Sequence, residues 1–128
     1  MKYLKGALIF FAIVDFAMFL VYQSNPDLLA PFLPQFNLQS TDHIYQRLVG
    51  NLFLMLGLAR LYGALYLHEK GAIIVSMWSW VVELVYTSTE LAHGQFMLVE
   101  NIMALVLAPA MLFWSFTFYK KMQFAENK

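Results

Sequence analysis

Five ionisable side chains sit inside long apolar runs of this 128-residue sequence: Asp15, Arg47, Arg60, Glu83 and Glu90. Carboxylates and guanidinium groups in such surroundings can handle protons, hold a ligand or metal, or pair with one another. Glu90-Leu91-Ala92-His93 has the Glu-x-x-His spacing of carboxylate-bridged di-iron bundles. Those sites take two such copies and two further Glu on facing helices. This chain has one copy and three histidines, His43, His68 and His93. His93 is therefore read as an interfacial histidine at a helix end, and no metal or cofactor is expected. There is no His-Glu-x-x-His, no Gly-x-Ser-x-Gly and no phosphate-cradling Gly-rich loop. Cysteine is absent, which removes thiolate nucleophiles and thiolate metal sites together.

The composition says what must position these groups. Hydrophobic residues make up 61% of the chain and charged residues 12%, with a mean hydropathy of +0.61. A soluble domain averages about 45–50% apolar and about 25% charged. So short a chain with half the usual charge cannot cover a globule with polar surface. Twelve Phe, 7 Tyr and 3 Trp exclude a disordered chain. Eight basic residues balance 8 acidic ones, so there is no polybasic footprint for nucleic acid.

Four stretches are long enough to cross about 30 Å of hydrocarbon, which takes about 20 helical residues. They run over about 4–22, 45–67, 72–92 and 96–119. No segment alternates polar with apolar residues as a membrane barrel requires. The pattern predicts an all-α, polytopic membrane protein, a single antiparallel four-transmembrane-helix bundle. The first run has the basic start of a signal peptide, but its length, Asp15 and the lack of a small-x-small site predict an uncleaved helix. Lysine placement sets the orientation. Lys2, Lys5, Lys120, Lys121 and Lys128 flank the ends of the chain and Lys70 sits in the second connection. The connections at 23–44 and around 93–95 carry no Lys or Arg. Both termini are thus expected to be cytoplasmic and the 23–44 loop lumenal. Pro26, Pro31 and Pro34 forbid a long helix in that loop, while its Leu and Phe residues keep it in the interface, with room for a short helix. His68-Glu69-Lys70-Gly71 is a solvated turn that makes the second and third helices antiparallel neighbours, with Gly71 a candidate left-handed residue. Pro109 is expected to kink the fourth helix or free a carbonyl near Leu105.

A charged residue at mid-span costs about 2.5–3.5 kcal/mol on insertion scales, so each needs a reason. Folding the second helix onto the third places Glu83 three to four residues from the level of Arg60, about 5–6 Å at 1.5 Å per residue. Glu90 falls within about one turn of Arg47. Arg60–Glu83 and Arg47–Glu90 are the natural pairs, with Asp15 a spare partner. Arg47 and Arg60 are thirteen residues apart and point to roughly opposite faces. Two roles are open to these ions, and they are compatible: internal staples of one bundle geometry, or recognition of a partner or ligand. Trp78 and Trp80 lie too deep for an interfacial belt and are expected to pack between helices. Trp114 and Tyr119 suit the cytoplasmic interface.

The segment from Arg47 to Leu91 also resembles a known family. Arg47, Gly50, the run Arg60-Leu61-Tyr62-Gly63-Ala64-Leu65-Tyr66-Leu67 and Thr89-Glu90-Leu91 are similar to the ergosterol biosynthetic protein 28 family. Thr89 stands where that family has serine and Tyr86 where it has histidine. Val49 stands where it has an aromatic residue and Leu52 where it has tryptophan. The outer helices match in hydropathy only. The resemblance implies a non-enzymatic, four-span scaffold of the endoplasmic reticulum membrane. Its implied partners are the enzymes of sterol C-4 demethylation: a methyl oxidase, a 3-hydroxysteroid dehydrogenase and a 3-ketosteroid reductase. On this reading helices two and three carry the partner surface, with Arg60, Tyr62, Tyr66 and Glu90 its members. Two other functions are compatible with the residues. One is an accessory subunit of another membrane complex, such as a respiratory complex in the mitochondrial inner membrane. The other is a small-molecule binder or enzyme using Glu83, Glu90 and Asp15 in a bundle cavity.

Overall fold

The computed structural model describes residues 1–24, 42–92 and 98–126, with backbone alone at 42–46, 98–103 and 126. The expected interfacial stretch with its three prolines, the third connection and His93 lie outside the described residues. So do the side chains of His43, Glu100 and Asn101.

Four helices follow one another: α1 (Lys2–Ser24), α2 (Asp42–Leu65), α3 (Lys70–Ala92) and α4 (Leu98–Glu126). Long helices are what an apolar sequence in hydrocarbon must form, because every backbone donor and acceptor then finds its partner within the segment. Lys2–Ser24, Arg47–Leu65 and Lys70–Ala92 are each long and apolar enough to cross a bilayer. The 29 residues of α4 rise about 44 Å, more than the hydrocarbon thickness. The chain is an all-α, multi-span membrane protein.

The α2–α3 connection has the expected length but falls two residues earlier in the chain. Helix α2 ends at Leu65. The Glu69 amide then donates to the Tyr66 carbonyl at 2.8 Å, and the Ile73 amide to the Glu69 carbonyl at 3.3 Å. Glu69 thereby caps α3 with its carbonyl, and Gly71 lies inside α3 with an ordinary helical backbone, not a left-handed one. The turn closes before the glycine is reached, so its conformational freedom is not used. Pro109 is likewise accommodated inside α4.

Helix α2 lies between α1 and α3, and α3 between α2 and α4. One core cluster takes residues from all four helices: Leu4 and Leu8, Ala64, Ile73 and Trp80, Ala108 and Met111. A smaller one at the other end joins Tyr22 and Val49, with Phe53 stacked on Tyr22 at 5.6 Å between ring centres. Many large apolar side chains, among them Phe10, Ile13, Leu20, Met55 and Phe113, remain exposed. A water-facing monomer could not carry so continuous an apolar surface; a lipid-facing one must.

Glycines on α2 set the helix spacing. A Cβ on Gly50 would meet Tyr22 Cβ at 2.8 Å, and one on Gly57 would meet the Phe16 ring at 2.9 Å. These two, seven residues apart, share the face toward α1. A Cβ on Gly63 would meet Ser76 Cβ at 2.6 Å and the Ala72 carbonyl oxygen at 3.2 Å, so Gly63 faces α3. Close approach through small residues is how helices associate where lipid tails are as apolar as leucine.

Candidate functional site

The charged residues occupy inward positions of three helices. On α1, Leu8, Asp15 and Tyr22 are buried at intervals of seven, which keeps them on one stripe. On α3, Ser76, Ser79, Trp80 and Glu83 follow at i, i+3, i+4 and i+7, a single helix face. On α2, Arg60 lies three residues after Gly57 and three before Gly63. At 3.6 residues per turn its direction bisects the faces that those two glycines give to α1 and α3. The guanidinium is therefore aimed into the cleft where the three helices meet.

There each of its nitrogens finds an acceptor. Arg60 is 1% exposed. Its Nη1 donates to both oxygens of Asp15, at 2.9 Å to Oδ1 and 2.7 Å to Oδ2. Its Nη2 donates to Glu83 Oε2. Its Nε donates to Ser79 Oγ at 3.3 Å, and that hydroxyl donates in turn to the Ser76 carbonyl at 2.6 Å. The guanidinium carbon stands 3.6 Å from the centre of the Trp80 ring, a desolvated cation–π contact worth about 2 kcal/mol. Trp80 also meets Phe11 in a T-shaped contact, 5.1 Å between ring centres. Every guanidinium nitrogen thus has an acceptor, the condition under which a charge inside a membrane is tolerated. Two carboxyl groups share the one guanidinium. Asp15 is buried, whereas the Glu83 side chain retains 20% exposure.

The expected Arg60–Glu83 pair is present, and Asp15 joins it. The expected Arg47–Glu90 pair is not among the ion pairs of the described residues. Arg47 is exposed at the start of its span and Glu90 is half-buried. At that end an amide clasp adds to the Tyr22–Val49 cluster between α1 and α2, Gln23 Nε2 donating to Asn51 Oδ1 at 3.0 Å and to the Arg47 carbonyl at 3.2 Å. Arg60 also drops out of the expected contact surface, because burial leaves it no atom to offer a partner. Tyr62 on α2 and Tyr66 in the turn that follows it do lie exposed, their rings 5.0 Å apart. The two tryptophans separate. Trp80 packs between helices as expected, but Trp78, two residues earlier and so on the far face of α3, is 63% exposed and points outward.

Three contributors were not anticipated from sequence: Ser79 as the acceptor for Arg60 Nε, Trp80 as the face under the guanidinium, and Gly57 as the gap that admits Phe16. Each had a signal. Ser79 and Trp80 precede Glu83 by one helical turn, and Gly57 follows Gly50 by seven. Outside this cluster, a groove of about 530 Å³ opens between α3 and α4, lined by apolar side chains that include no acid. His68 and Glu69 face each other at 3.8 Å in the exposed turn.

No curated protein and no solved structure matches the chain. A family model described as Erg28 like protein matches residues 4–118, a stretch that takes in the arginine, both acids and the three interface glycines of the cleft, and the chain belongs to this Erg28-like family of membrane proteins connected with sterol biosynthesis.

Proposed function

We propose that the chain is a non-enzymatic tether in the endoplasmic reticulum membrane that gathers the enzymes of sterol C-4 demethylation. The observation that carries this reading is the engagement of every Arg60 guanidinium nitrogen. Asp15 and Glu83, the acids deepest in the spans, are committed to one guanidinium, together with Ser79 and Trp80. Groups held in this way fix one packing of three helices and are poorly placed to move protons on a substrate. The family supplies the connection to sterol biosynthesis.

The exposed aromatic pair at the end of α2, Tyr62 in the helix and Tyr66 in the turn after it, with the half-buried Glu90 on α3, is the proposed contact face. Tyrosine suits such a face because it brings large apolar area and a hydroxyl at low entropic cost. Tethering has a direct kinetic rationale. Sterol intermediates stay in the bilayer, and fixing the next enzyme nearby converts a diffusive encounter into a local one with raised effective concentration. Both termini and the α2–α3 turn face the cytoplasm in this proposal, following the lysines at Lys2, Lys5, Lys70, Lys120 and Lys121.

Affinity purification of the tagged chain after mild detergent extraction tests it. The methyl oxidase, the 3-hydroxysteroid dehydrogenase or the 3-ketosteroid reductase should co-purify. Recovery of intact bait with none of the three refutes the proposal.

A further inference from the structure

The groove between α3 and α4 lies apart from the charge cluster. Ile74, Met77, Trp78 and Val81 form one wall; Pro109, Leu112, Phe113 and Phe116 form the other. Its volume of about 530 Å³ falls within the about 300–1,000 Å³ of small-molecule sites. Apart from the Trp78 indole N–H, no lining side chain carries a hydrogen-bonding group. An occupant must therefore be apolar along the groove and be recognised at an end.

One end is basic. Lys120 follows Phe116 by four residues and Lys70 precedes Ile74 by four, so each stands one turn beyond the groove on the helix face that lines it. Lys120 is observed there, its Nζ 5.0 Å from the centre of the Phe116 ring. Because α3 and α4 are sequential helices packed side by side, both lysines belong to the same end. Glu69 in the turn precedes Lys70 and lies 3.8 Å from His68.

We propose that this groove is a binding site for an anionic glycerophospholipid, with one acyl chain between α3 and α4 and the phosphate held by Lys120 and Lys70. Basic groups at the end of a cleft between membrane helices recognise anionic headgroups, and each lysine near such a surface contributes about fivefold in affinity. A neutral lipid fills the same groove without that gain.

Trp78 in the groove wall provides the readout. The full chain carrying Trp114→Phe is reconstituted in phosphatidylcholine vesicles containing a fixed minor fraction of brominated-acyl phosphatidylserine or of brominated-acyl phosphatidylcholine. The serine lipid should quench tryptophan emission more strongly at equal fraction, and added salt should reduce the excess. Lys120→Gln should lower the apparent affinity about fivefold, with a similar further loss on Lys70→Gln. Lys121→Gln should leave it unchanged. Val81→Phe, which fills the groove and keeps both lysines, should abolish the excess, with circular dichroism confirming that the helices persist. Equal quenching by the two lipids overturns the proposal. So does an excess that survives the double lysine change, or one that survives Val81→Phe, which would mark mere enrichment at a basic surface.

Discussion

Arg60 Nη1 lies 2.7 Å from Asp15 Oδ2, across 45 residues of sequence, and the same guanidinium reaches Glu83 on a third helix. One side chain on α2 thus ties α1 to α3. Removing one partner of a buried ion pair typically costs about 3–5 kcal/mol, because a charge is left uncompensated. Arg60→Ala should therefore lower the unfolding temperature in detergent sharply or prevent accumulation of the protein. Arg60→Lys should rescue little, since an ammonium cannot serve Asp15, Glu83 and Ser79 in fork geometry. Replacing the whole triad with Asp15→Leu, Arg60→Met and Glu83→Gln should be less damaging than Arg60→Ala alone. Equal loss in both variants would show that the cluster does not act as a unit.

Gly63 and Ser76 define the α2–α3 spacing. Gly63→Ala places a methyl 2.6 Å from Ser76 Cβ, with the Ala72 carbonyl close behind. Overpacking of this kind costs about 1–3 kcal/mol. Ser76→Gly in the same chain should recover part of the loss, a coupling that a double-mutant cycle reads directly. Ser76→Ala by itself should be tolerated, because the buried Ser76 hydroxyl has no hydrogen-bond partner to lose.

Tyr62 and Tyr66 are expected to matter for association and not for folding. Both rings are exposed, and substitutions at such positions usually stay within about 0.5 kcal/mol. The double change Tyr62→Leu, Tyr66→Leu should leave the unfolding temperature near that of the parent. Recovery of the proposed enzyme partners in co-purification should fall several-fold. Loss of the fold, or undiminished recovery, would each remove these tyrosines from the contact face.

Arg47 and Glu90 should behave independently. A cycle of Arg47→Gln and Glu90→Gln should give an interaction energy within about 0.5 kcal/mol of zero, the value for sites that share no partner. Gln23→Ala, by contrast, should loosen the α1–α2 clasp and couple to Asn51→Ala by about 1 kcal/mol.

The sequence by itself determined the class of the molecule. Runs of apolar residues with too little charge to solvate a globule can only be membrane helices, and lipid leaves the backbone no alternative to helix. It also determined that Asp15, Arg60 and Glu83 need partners, since unpaired ions at such depth are costly. Rise per residue then brought Arg60 and Glu83 to one level. Tertiary structure decided the rest, because periodicity gives a residue's level along a helix but not how that helix is rotated against its neighbours. Rotation is set here by close approach: Gly57 admits Phe16 and Gly63 admits Ser76, which turns Arg60 toward both acids at once. The same rotation carries Trp80 beneath the guanidinium and sends Trp78 outward. Arg47 and Glu90, which similar depth alone had paired, form no ion pair among the described residues.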